Sequence, residues 1–146
     1  MGSLVEVLKD PGKRRAVVDG GVRVIEQEVA DKGGLSGLAI KATFKVVQGL
    51  RPGFVPMALN HLMDDFARQM DPFWLDCQAK KEDPRGYFTR RGSEIANALL
   101  TITDERARRG EGPARSAYEK LRPEGVKHVT AAMPRLADLC RVHASG

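Results

Sequence analysis

Three Asp-Pro pairs, Asp10-Pro11, Asp71-Pro72 and Asp83-Pro84, constrain what this chain can fold into more than any other feature. Proline has no N–H to give to a strand ladder, whereas the first helical turn has donors without intrahelical partners, and a preceding aspartate can accept from them. Each pair therefore reads as an N-cap and the first residue of a helix. Apolar residues elsewhere in the chain recur at helical spacing, and no stretch of any length alternates apolar with polar as a half-buried strand does. No repeat at a fixed period is present. The pattern specifies an all-α fold, a single compact bundle of about six to eight helices over residues 1–146, with short or kinked helices where prolines fall.

Further caps divide the chain. Ser3 and Glu6 have capping-box spacing, so a short opening helix forms around Leu4, Val5, Val7 and Leu8. After Pro11, the residues Val18, Val22, Ile25 and Val29 run at helical spacing to a stop at Gly33-Gly34. Gly20-Gly21 in the middle marks a kink or a close approach by another helix. Ser36, with Leu35 and Ile40 as a hydrophobic staple, starts a helix that runs to about Gly49. Ile40, Phe44 and Val47 form one face of it, Leu38, Ala42, Val46 and Leu50 continue the apolar surface, and only Lys41, Lys45 and Gln48 make a polar stripe. A helix apolar over most of its circumference reads as central and buried, with its lysines reaching solvent.

From Phe54 to Met70 one face carries Val55, Leu59, Leu62, Met63, Phe66 and Met70, and Asp71-Pro72 restarts a short helix that lays Phe73, Trp74 and Cys77 against the core. The stretch Leu35–Trp74 holds five of the eight aromatic residues, so the bundle is organised around it. Ser93 caps a helix with Ile95, Ala98, Leu99 and Ile102 inward and Arg106, Arg108 and Arg109 at its negative end. A loop at Gly110–Pro113 leads to a brief helix, Ala114–Leu121. Arg122-Pro123 then starts the last helix, which Pro134 kinks.

A chain of 146 residues buries roughly two thirds or more of its unfolded surface as one domain, so no disulfide or metal is needed to hold it. Cys77 and Cys140 are isolated and fall on apolar faces, which suits a reducing compartment and inert, buried thiols; the reading is cytoplasmic. No apolar run reaches membrane-spanning length and no signal-like segment opens the chain. Glu6 stands where a myristoylation signal wants Ser or Thr.

Catalytic and metal signatures are absent. His61 with Asp64 and Asp65 has ligand-like spacing but lies on a polar helix face, where solvated ion pairs account for it; His128 with Glu124 lacks the Glu-x-x-His spacing of a di-iron bundle. There is no Gly-x-Ser-x-Gly, phosphate-cradling loop or dinucleotide fingerprint. No metal or other cofactor is called for. The chain reads as a binding protein rather than an enzyme.

Two surfaces could do the binding. Residues 84–146 hold 12 basic and 7 acidic side chains, which accounts for the whole net charge of +5. Arg85, Arg90, Arg91, Arg106, Arg108, Arg109 and Arg115, interleaved with Tyr87, Phe88 and Tyr118, could grip a polyanion or nucleic acid; the plainer expectation is that they pair with Glu94, Asp104 and Glu105 on a solvated rim. The other surface is the acid-free stretch between Asp31 and Asp64, whose apolar residues Leu38, Phe44, Val46, Leu50 and Phe54, with Trp74 beyond it, suit a greasy ligand or a partner protein. An anionic membrane surface fits the same composition and is the less favoured reading.

Val29-Ala30-Asp31-Lys32 running into Gly34-Leu35-Ser36-Gly37-Leu38-Ala39, Pro52-Gly53-Phe54-Val55-Pro56, Asp71-Pro72-Phe73-Trp74, and Lys127-His128-Val129 with Met133-Pro134-Arg135-Leu136 together resemble a family of small uncharacterised bacterial proteins, a domain of unknown function. The resemblance covers most of the chain. It implies a free-standing helical domain and carries over no functional residue. The expected function is a non-catalytic binding or protein-interaction module that holds a small apolar ligand between helices or meets a partner or a second copy; the alternative is a polyanion binder using the arginine-rich half.

Overall fold

The computed structural model describes residues 2–144, and every regular element among them is helical. A single turn, α1 (Leu4–Val7), precedes α2 (Pro11–Asp31), α3 (Gly34–Gln48), α4 (Phe54–Ala79), α5 (Pro84–Arg90), α6 (Gly92–Arg109) and α7 (Pro113–Leu121); a 3-10 turn (Arg122–Glu124) then leads into α8 (Gly125–Ala131) and α9 (Met133–Ala144).

Two of the three Asp-Pro pairs act as expected. Asp10 accepts from the N–H groups of Gly12 at 2.9 Å and Lys13 at 3.4 Å, and Asp83 accepts from Gly86 at 3.1 Å. Asp71-Pro72 does not start a helix, because α4 runs straight through it. The buried residues Met63, Ala67, Met70, Trp74 and Cys77 form one unbroken inward face across Pro72, and their packing offsets the missing backbone bond. Asp71 caps a different helix instead: its carboxylate accepts from the N–H of Leu4 at 2.6 Å and of Val5 at 3.3 Å, tying α1 to the middle of α4. Ser3 completes that end by accepting from Glu6.

Other boundaries shift for local reasons. Helix α3 begins at Gly34 with Gly33 as its N-cap, not at Ser36, and α6 begins at Gly92, one residue before Ser93. Pro134 does more than kink the last helix. The chain breaks between Ala131 and Met133, and Pro134 takes the second position of α9, where its missing N–H costs nothing.

The Gly20-Gly21 pair marks a close approach. A Cβ on Gly20 would lie 2.5 Å from Leu139 Cδ1 of α9, and one on Gly21 2.7 Å from Leu59 Cδ2 of α4, so both neighbours press against α2 where it has no side chain. Helix α2 itself stays unbroken.

Two groups of buried side chains form the core. The larger joins α4, α5, α6 and α9, with Trp74, Tyr87, Phe88, Ile95 and Met133 at its centre; Trp74 and Phe88 meet edge to face, centroids 6.3 Å apart. The smaller holds Leu8, Val18, Met63 and Ala67, between α1, α2 and α4. Helix α3 is not the buried centre that its composition suggests. Only Gly37 and Ile40 are buried on it, while Leu35 is 86%, Leu38 64% and Val46 56% exposed.

Candidate functional site

The two core groups do not meet everywhere. Between them lies a half-enclosed cavity of about 420 Å³, lined by 30 residues from α1, α2, α3, α4, α6, α7, α8 and α9 and their junctions. Leu4, Val7 and Leu8 of the opening segment close one side, and Val17, Val24, Ile25 and Val29 of α2 form a wall. Leu59, Met63, Phe66 and Met70 of α4 stand across from Leu136, Leu139 and Cys140 of α9, and Ile40 is the contribution of α3. Only six lining residues carry hydroxyl, imidazole or charged side chains, so the interior is largely apolar.

Of those six, Glu28 and Lys32 pair at 3.4 Å at the C-terminal end of α2; Glu28 is also held by Arg135 at 2.5 Å, and Arg135 reaches Asp31 at 2.7 Å. His128 of α8 belongs to the same edge. Burial, with the positive charge of Lys32, pushes its pKa down and favours neutral imidazole. Arg122 gives Nε and Nη2 to Asp104 at 2.8 and 3.1 Å, and Tyr118 also bonds Asp104. The third nitrogen, Nη1 of Arg122, lies beside cavity-lining Gly125. The sixth, His143, stands at the other end of the α2 wall, near Gly20.

None of the six apolar residues that the sequence offered as a ligand or partner surface, Leu38, Phe44, Val46, Leu50, Phe54 and Trp74, lines this cavity. Leu38 and Val46 face solvent, Phe44, Leu50 and Phe54 are half-buried outside the cavity wall, and Trp74 is only 1% exposed within the larger core group. Their neighbour Ile40 is the residue of α3 that reaches in. The cavity left a different trace in the sequence: residues 1–43 contain no aromatic side chain. A bundle half walled by Val, Leu and Gly lacks the bulk to fill its own centre.

The arginines of the second half are mostly engaged. Arg85 grips Asp138 through two bonds of 3.0 Å, Arg90 meets Glu82 at 2.6 Å, and Arg91 meets Glu94 at 2.6 Å. Arg108 and Arg109 share Glu105, and Arg115 meets Glu119 at 3.0 Å. Arg106 alone of the seven makes no ion pair among the described residues. Tyr87 and Phe88 are buried, which leaves them no open face on which a base could stack.

His61 is exposed, Asp64 pairs with Arg14 and Asp65 with Arg68, and no group of three or more metal-ligating side chains occurs among the described residues. Burial raises the pKa of both thiols, that of Cys140 to about 12, so neither is a ready nucleophile. No helix of the described residues is long and apolar enough to cross a membrane.

No curated protein and no solved structure matches the chain. The sequence pattern of one family does match, over residues 4–144, which takes in every helix and the whole cavity wall. The chain belongs to the DUF6918 family, a family of unknown function.

Proposed function

We propose that this protein is a non-catalytic carrier that holds a small apolar ligand between its helices. The observation that carries this reading is the cavity of about 420 Å³, a size within the range of ligand sites, with hydroxyl, imidazole or charged side chains at only six of its 30 lining positions. The polar edge formed by Lys32 and its partner Glu28, Arg122 and the neutral imidazole of His128 suits a ligand with one polar end. Binding rather than turnover is favoured because both cysteines are buried with raised pKa values, while the acidic groups held low by arginines, Asp64, Glu94 and Asp104, sit in ion pairs.

The test is titration with an anilinonaphthalene probe, whose emission rises in apolar surroundings, followed by displacement with single-chain fatty acids. The reading requires one saturable site, competition by the acids, and loss of that site when Val24→Phe and Ala132→Leu fill the cavity. Probe emission unchanged by the filling substitutions would overturn it.

A further inference from the structure

Helix α3 has an outward face as unusual as its inward one. At about 100° per residue, Leu35, Leu38, Ala42 and Val46 fall within an arc of roughly 80°, and the three large side chains of that stripe are each more than half exposed. Lys45 and Lys41 flank the stripe on one side and Arg51 follows the helix end. None of these three cations makes an ion pair among the described residues. No acidic residue occurs anywhere between Asp31 and Asp64. By contrast, the arginines of the second half are nearly all neutralised by a carboxylate within reach.

We infer that α3 is a docking face for an anionic membrane surface, with its leucines and valine entering the headgroup region and Lys41, Lys45 and Arg51 meeting lipid phosphates. An apolar stripe flanked by unpaired cations is the pattern of an interfacial helix. A second copy of the chain fits poorly. A symmetric α3–α3 contact would place these cations together with no carboxylate from the stretch between them.

The inference rests on the ligand-carrier reading for its purpose and on separate residues for its evidence. The same helix that faces outward with Leu35 and Leu38 faces inward with Ile40, a cavity wall. A ligand leaving a bilayer would therefore meet α3 first.

The experiment is vesicle flotation of the full chain at low and moderate salt. Vesicles of phosphatidylcholine with phosphatidylglycerol should carry the protein, and phosphatidylcholine alone should not. Leu35→Asp with Leu38→Asp should weaken the association roughly tenfold or more, and Lys41→Glu with Lys45→Glu by a similar factor, each retaining the wild-type melting temperature and probe binding. Leu35, Leu38 and Lys45 are exposed and Lys41 is half-buried, so a melting measurement separates lost docking from lost fold. Equal recovery on neutral and anionic vesicles, or a concentration-dependent dimer that Leu38→Asp abolishes without any flotation of the wild type, would overturn the inference. Because probe binding is read separately, failure of docking and failure of the cavity reading give different results.

Discussion

Left unfilled, an apolar cavity of about 420 Å³ is a large burden for a 16.0 kDa protein. At about 24 cal/mol per Å³, the coefficient for a sealed and empty cavity, full enclosure would cost on the order of 10 kcal/mol, an upper bound for a space half open to water, against about 5–15 kcal/mol for the whole stability of an ordinary domain. The ligand-free protein should therefore carry part of that penalty, and filling the cavity should stabilise it. Stripping the protein with an apolar resin and adding back a binding fatty acid at a hundred times its Kd adds about 2.7 kcal/mol by mass action. For a chain of this size that raises Tm by about 5–11 °C in differential scanning calorimetry. Val24→Phe with Ala132→Leu should raise the Tm of the stripped protein and abolish the ligand's increment. The opposite pattern, a filling variant that melts lower and a stripped protein indifferent to ligand, would show that the side chains already close the space in solution.

Four further substitutions probe particular contacts. Gly21→Ala and Gly37→Ala meet the same 2.7 Å obstruction yet should differ in sign. Leu59 Cδ2 can swing into the cavity, so Gly21→Ala keeps much of the roughly 1 kcal/mol helix gain while weakening ligand binding, whereas the methyl added by Gly37→Ala strikes the fixed carbonyl of Lys32 and should cost about 1–3 kcal/mol in urea melts. Asp71→Ala removes the acceptor for the N–H groups of Leu4 and Val5, and should cost about 1–2 kcal/mol and loosen α1, visible as faster amide exchange at those residues. His128 has a lowered pKa in the fold, so the unfolded chain binds its proton more readily. Its contribution to stability is complete above the ordinary value of 6.5 and falls away as pH drops below it; His128→Gln should flatten that part of the stability–pH curve.

Much of the architecture was legible because backbone chemistry is local. Ser3, Asp10 and Asp83 cap the helices they precede, and a gap at Gly110–Gly112, one residue shorter than the expected loop, separates α6 from α7. Asp71 misled because a capping residue type marks an acceptor, and tertiary contacts decide which donors it serves, whereas Ser36 simply stands exposed as the third residue of α3, after Gly33 has taken the N-cap place. Asp71 serves α1, 67 positions away in the chain, while α4 continues through Pro72 on the strength of its buried face. The expected buried place of α3 failed because apolar patterning reports what a helix could cover, not whether anything covers it. The cavity was the least legible feature. Its walls are ordinary core residues such as Val24, Leu59 and Leu136, and only the lack of aromatic bulk before Phe44 hinted that they would not close on one another.

Whether the cavity holds a ligand is read from native mass spectrometry of the protein purified gently from its own host, set against the denatured mass. A discrete added mass should appear that organic extraction removes, that single-chain fatty acids restore one per chain, and that the cavity-filling variant never carries. A bare chain before and after incubation with those acids, alike in wild type and filled variant, would contradict the ligand-carrier reading.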